Sequence, residues 1–127
     1  MKYQHLLIVE DDPMSAELLR DWLEGEGYRV TSARTLGEGM IAFHPSPPTL
    51  VLLDVNLGPE DGLDLAMWIR QQPALKHIPI IAVTAHAMIA EKERTLRAGC
   101  NAIVSKPVDF QTLRQQIEQL TITSGIS

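Results

Sequence analysis

Acids, a hydroxyl and one ammonium group stand at the ends of four short apolar runs in this sequence. Glu10, Asp11 and Asp12 follow Leu6-Leu7-Ile8-Val9, and Asp54 closes Leu50-Val51-Leu52-Leu53. Thr84 follows Ile81-Ala82-Val83, and Lys106 follows the run Ala102–Ser105. Carboxylates clustered without a His or Cys partner suit a hard, oxygen-seeking cation such as Mg²⁺. If Glu10, Asp11 and Asp54 converge, two carboxylates about 5 Å apart repel by roughly 3 kcal/mol at an effective dielectric near 20. A divalent cation and Lys106 together would balance the three negative charges. An Asp beside Mg²⁺, a Lys and a Thr hydroxyl can attack phosphorus and become an aspartyl-phosphate. The metal and Lys106 would neutralise charge on the transferring oxygens, and Thr84 could hydrogen-bond one of them. Asp12 reads instead as a helix cap, an ordinary place for an acid.

For these residues to meet, the runs must be strands that end on one edge of a sheet. The sequence predicts strands over His5–Val9, Tyr28–Ser32, Leu50–Val55, Ile78–Val83 and Ala102–Ser105. They are rich in Val, Ile and Leu, and three barely alternate, as strands buried on both faces of a parallel sheet do. Tyr28, Val30 and Ser32 alternate with Arg29 and Thr31, which suits an edge strand. Helical patterns fill the gaps. The first is capped by Asp12, with Pro13 at its first position, and stopped by Gly25 and Gly27. Others are expected over Thr35–Phe43, Gly62–Gln72 and His86–Ala98, the last stopped by Gly99. A fifth follows Asp109 and carries Phe110, Leu113, Ile117 and Leu120 at helical spacing. Each strand-to-strand interval holds one strand, one helix and two short loops, the length of a βαβ crossover. The fold class expected is α/β, an open sandwich around a five-stranded parallel sheet. Ligands of such sheets bind beyond the carboxyl ends of the strands, where the acids, Thr84 and Lys106 stand.

The composition agrees. The chain has 127 residues, less than an average domain, so 1–127 reads as one domain with its core at about 5–120 and a flexible tail at 121–127. Eleven Lys and Arg against sixteen Asp and Glu give a net charge of −5, a poor basis for gripping nucleic acid. Cys100 is the single cysteine, so no internal disulfide forms, which fits a reducing compartment. No secretory signal and no apolar stretch of about 20 residues is present, so a cytoplasmic protein is expected.

Four motifs in order carry a family likeness. Leu7-Ile8-Val9-Glu10-Asp11-Asp12-Pro13, Leu52-Leu53-Asp54-Val55-Asn56 with Gly62 eight residues after Asp54, Val83-Thr84-Ala85, and Ser105-Lys106-Pro107 resemble the receiver domain of two-component response regulators, of the chemotaxis-regulator type. The resemblance runs from Leu6 to about Leu120. It implies a flavodoxin-like three-layer sandwich with strand order 2-1-3-4-5 and five helices. It implies that Asp54 accepts a phosphoryl group from a sensor histidine kinase or a histidine phosphotransfer protein. Asp11, Asp54 and the Asn56 carbonyl would ligate Mg²⁺, with Glu10 acting mostly through water. Thr84 and Lys106 would bind the phosphoryl oxygens and couple them to conformation, and Lys106-Pro107 would be joined by a cis peptide. The fourth helix, fifth strand and fifth helix would form the face that meets a downstream protein target, or a second copy in a phosphorylation-linked dimer. Such a domain is a phosphoacceptor switch rather than an enzyme, with self-catalysed phosphoryl uptake and loss only. It works without direct nucleic-acid or membrane contact, and no DNA-binding domain fits after Leu120.

Two positions depart from the family pattern. Ile103 stands three residues before Lys106, where receivers usually carry Tyr or Phe, so the rotating aromatic of the usual switch is absent. Gly58 stands four residues after Asp54, where proline is common, and Pro59 follows it. His86 would, with Asn56, border the path of the hydrolytic water, or else be a plain exposed residue at a helix start. His5, His44 and His77 lack ligand spacing and read as structural or surface residues. Trp22, Met67 and Trp68 read as helix packing, Cys100 as a buried small residue, and Glu91-Lys92-Glu93-Arg94 as a solvated face. Two other classes fit less well. A Mg²⁺-dependent phosphatase of the haloacid-dehalogenase type wants a second Asp where Asn56 stands. A flavodoxin-like electron carrier wants a Ser, Thr and Gly-rich phosphate loop where Glu10-Asp11-Asp12 would repel phosphate. A receiver cut from a hybrid kinase or a larger regulator would read the same.

Overall fold

Runs of Val, Ile and Leu that hide both faces can only be satisfied between two layers of helices. The computed structural model, which describes residues 4–126, builds that arrangement. The strands are β1 (His5–Val9), β2 (Arg29–Ala33), β3 (Leu50–Asp54), β4 (Ile80–Thr84) and β5 (Ala102–Ser105). The helices are α1 (Pro13–Gly25), α2 (Leu36–Ile41), α3 (Leu63–Gln71), α4 (Ile89–Arg97) and α5 (Phe110–Ile126). All five strands are parallel, in the order β2-β1-β3-β4-β5. This is the flavodoxin-like sandwich, with the predicted order. Among the described residues no helix is long and apolar enough to cross a membrane.

Strand alternation divides the core in two. Leu7, Val9, Val51, Leu53 and Ile80 face Leu65 and Ile69 of α3. Leu6, Ile8, Leu50 and Leu52 face Leu19 and Leu23 of α1 and Leu113 and Ile117 of α5. All five residues of β3 and of β4 are buried, whereas β2 shows the mixed pattern of an edge. Local chemistry fixes the helix starts. Asp12 accepts the Ser15 N–H at 3.0 Å ahead of Pro13, and Thr35 accepts the Glu38 N–H at 3.1 Å ahead of α2.

Three features differ from the sequence reading. A two-residue antiparallel ladder follows β3, pairing Asn56 with Asp61 and Leu57 with Glu60. Its turn is Gly58-Pro59, with Gly58 at φ +58°, the glycine-first pattern of a type II′ hairpin turn. Helix α4 begins at Ile89 rather than His86, because the Thr84 hydroxyl engages the His86 N–H at 3.0 Å and Met88 is extended. The stretch read as a flexible tail is helical as far as Ile126, and Ser127 lies outside the described residues. Thr121 explains its start: it is buried one turn after Ile117 and donates to the Ile117 carbonyl at 2.7 Å.

Candidate functional site

The strand register gathers the candidate residues. Val9 of β1 lies beside Leu53 of β3, so the next residues, Glu10 and Asp54, emerge as neighbours. Asp54 pairs with Val83 of β4, and Thr84 pairs with Ser105 of β5, one residue before Lys106. Glu10 and Asp54 are each 3% exposed and Thr84 is fully buried. Glu10, Asp11 and Asp54 each offer a carboxylate oxygen, and the three atoms lie within 4.8 Å of one another.

Lys106 answers that charge. Its Nζ lies 2.8 Å from Asp54 Oδ2 and 3.6 Å from Glu10 Oε1. The other Asp54 oxygen, Oδ1, accepts the Asn56 backbone N–H at 2.9 Å. Glu10 Oε2 accepts the Asp12 N–H at 3.1 Å. Burial pushes the Glu10 carboxyl up to about 7, and its hydrogen bond with Asp54 and the Asp54 charge push the same way. The Asp12 N–H and the Lys106 charge pull less strongly in the other direction. For Lys106, burial opposes the charged form, but the hydrogen bond and charge of Asp54 and the charge of Glu10 outweigh it and hold the ammonium above its ordinary range. An all-oxygen donor set of three crowded acids matches the chemistry of Mg²⁺ rather than of a soft metal.

The loop after β3 closes around this cluster. A β-carbon on Gly62 would collide with the Asp54 carbonyl oxygen, and the Gly62 N–H donates to the Val55 carbonyl at 2.8 Å. Only glycine lets the chain return so close. A β-carbon on Gly58 would stand 3.3 Å from Asp11 Oδ2.

Five of the predicted residues, Glu10, Asp11, Asp54, Asn56 and Lys106, meet directly. Asn56 does so through its backbone, its side chain being exposed. Thr84 sits on the next strand with its hydroxyl oxygen held by the His86 N–H, and His86 is exposed. The Lys106–Pro107 peptide is cis, and so is His44–Pro45, which the sequence reading passed over. Nothing in the sequence singles out Glu60 or Asp61, and Arg94 reads there as part of a solvated face. Glu60 accepts the Leu36 N–H at 2.9 Å, and Asp61 accepts from Arg94 at 2.7 Å. No spacing rule joins position 61 to 94. Beside Glu10 and Lys106, an apolar groove of about 220 Å³ opens between α1 and the start of α5, lined by Leu18, Leu19, Pro107, Val108 and Phe110.

The family model of the response regulator receiver domain matches residues 6–118. The chain belongs to that family. This receiver is 38% identical over 113 residues to the polar-differentiation response regulator DivK of Brucella ovis, across 89% of this chain and 92% of the relative. Among solved structures, it resembles a CheY-like response regulator receiver domain protein from Methanospirillum hungatei JF-1, with a TM-score of 0.89 and 28% identity over 98% of both chains. It also resembles the signal receiver domain of a signal transduction histidine kinase from Syntrophus aciditrophicus, with a TM-score of 0.86 and 31% identity, covering 94% of this chain and 91% of that one. Receiver domains are the phosphoacceptor switches of two-component systems, and the acidic pocket of this receiver is compatible with Mg²⁺.

Proposed function

We propose that Asp54 takes a phosphoryl group, with Mg²⁺, from a sensor histidine kinase or a histidine phosphotransfer protein. The modified receiver then changes its contacts with a downstream protein across α4, β5 and α5. The observation that carries this reading is the Lys106 ammonium 2.8 Å from an oxygen of Asp54 inside a three-acid cluster at the edge of the sheet.

In the transfer, an Asp54 carboxylate oxygen forms the new P–O bond while the P–N bond of the donor breaks, and its electron pair leaves with the donor imidazole. Glu10, Asp11, Asp54 and the Asn56 carbonyl would hold Mg²⁺, which supplies positive charge to the phosphoryl oxygens as they transfer. Lys106 turns from the carboxylate to a phosphoryl oxygen, and the Thr84 hydroxyl donates to another. Thr84 already holds the His86 N–H, so a change at its hydroxyl reaches the stretch before α4. Ile103, half-buried on β5, leaves no aromatic to rotate. The net charge of −5 favours protein rather than nucleic acid as the target.

The test is intact-mass spectrometry after incubation with Mg²⁺ and a small-molecule phosphodonor, with Asp54→Asn alongside. A gain of one phosphoryl group in the wild type alone supports the reading; equal gain in both proteins sinks it.

A further inference from the structure

The hairpin that follows β3 touches two of the acids through its first residue and its turn, and another helix through its last residue. Its first residue, Asn56, gives its N–H to Asp54 Oδ1 at 2.9 Å. Two residues on, Gly58 leaves only the room of a close contact beside Asp11 Oδ2. The hairpin therefore abuts two of the three acids. Its last residue, Asp61, pairs across the ladder with Asn56 and uses its two oxygens separately. Oδ1 accepts the Leu63 N–H at 3.0 Å, at the start of α3. Oδ2 accepts from Arg94 Nη1 at 2.7 Å, and Arg94 Nη2 reaches back 3.2 Å to Glu91 on its own helix, α4.

A ladder of two pairs does not hold its own position, since even longer isolated hairpins are marginal in water. Its placement depends on ties to its surroundings. On the α4 side the tie is Asp61–Arg94. The pair is roughly half exposed, at 44% and 42%, so its effect is modest but measurable.

We infer that Arg94 is a positioning residue for the Asp54 site, acting through Asp61 and the hairpin from Asn56 to Asp61. The inference rests on the phosphoacceptor reading above. Coupling of this kind is reciprocal. A protein that binds α4 and draws Arg94 away from Asp61 loosens the site, and a filled site tightens the Arg94–Asp61 pair.

The experiment measures Mg²⁺ binding by titration calorimetry, and KM and kcat for phosphoryl uptake from a small-molecule donor, on the full chain. The variants are Arg94→Ala, Arg94→Lys, Asp61→Asn and the double variant Asp61→Asn/Arg94→Ala. Asparagine keeps an oxygen for the Leu63 N–H, so Asp61→Asn spares the start of α3. Expected are losses of about two- to fivefold in Mg²⁺ affinity for Arg94→Ala and for Asp61→Asn. Arg94→Lys should recover part of the loss, and the double variant should be no weaker than either single change. Thermal midpoints in chelator should stay together. Wild-type behaviour of Arg94→Ala, or losses that add in full, overturns the inference while the phosphoacceptor reading stands. A wild type that takes neither Mg²⁺ nor phosphoryl overturns both.

Discussion

Gly62 passes against the main-chain carbonyl of Asp54 so closely that any β-carbon would overlap the oxygen. The residue that turns the chain toward α3 is thus fixed by the backbone of the residue whose carboxylate pairs with Lys106. Gly62→Ala must push the loop away from β3 and is expected to destabilise the fold by roughly 3 kcal/mol. Gly58→Ala meets less resistance, since only its φ of +58° and the flank of Asp11 object, and should lose about 1 kcal/mol. Urea midpoints of the two variants check the order; a milder Gly62→Ala would contradict it.

Stability without metal should fall as pH rises. Burial, with the hydrogen bond to Asp54, pushes the Glu10 carboxyl up to about 7 from an ordinary value of 4.5. An acid raised by folding stabilises the fold while protonated, so its contribution is complete below about 4.5 and is lost as pH climbs through about 7. The full effect is on the order of a few kcal/mol. Denaturation in chelator across that window should show the decline. Glu10→Gln should flatten it, and an equal slope in the variant would refute the assignment to Glu10.

Cys100 should resist alkylation in the native protein. Burial pushes its thiol up to about 12, with Arg70 pulling only weakly the other way. At mildly alkaline pH the thiolate fraction is then about a thousandfold below that of a free cysteine. Labelling with iodoacetamide, followed by mass, should track unfolding. Rapid labelling of the folded chain would show that the thiol is reachable.

Arg70 should behave as a structural clamp that lysine cannot replace. Its guanidinium donates to the carbonyls of Gly99 at 2.9 Å, Lys76 at 3.1 Å and Ile78 at 2.8 Å, and to Asn101 Oδ1 at 2.9 Å. Asn101 Oδ1 in turn accepts the Ile80 N–H at 2.8 Å, at the start of β4. Arg70→Ala strands the two part-buried carbonyls of Gly99 and Ile78 and should lose about 2 kcal/mol in urea unfolding. An ammonium cannot span that fork, so Arg70→Lys should restore only a minor part. Full restoration would mean that charge alone mattered.

What the sequence disclosed, and what it hid, follows the range of the interactions. Continuous apolar runs marked the strands, and their ends marked Glu10, Asp11, Asp54, Thr84 and Lys106, because a parallel sheet brings its carboxyl ends together whatever the loops do. Pro13, Gly99 and the Asp12 cap are local devices, legible within a few residues, whereas Thr35 reads as part of its helix and the structure makes it the cap. The hairpin from Asn56 to Asp61 was not, since two-residue strands have no period to detect. Its turn glycine, Gly58, registered only as a departure from the family pattern. The Asp61–Arg94 pair joins residues 33 positions apart, and in sequence Arg94 is one charge among four. The helical stretch past Leu120 was hidden by polar composition, because the burial of Thr121 depends on a packing partner and not on hydropathy.

Strand β3 is hydrogen-bonded on both sides, to β1 and β4, and all five of its residues are buried. Its amide hydrogens can exchange with solvent only when the sheet as a whole comes apart. Helix α4 has Thr95 as its buried residue and leaves Ile89 77% exposed, so its amides have a local route to exchange. Exchange rates should therefore rise steeply between Asp54 and Arg94. The Asp54 carboxylate rides on an element that opens last, and the helix tied to its loop is one that opens early.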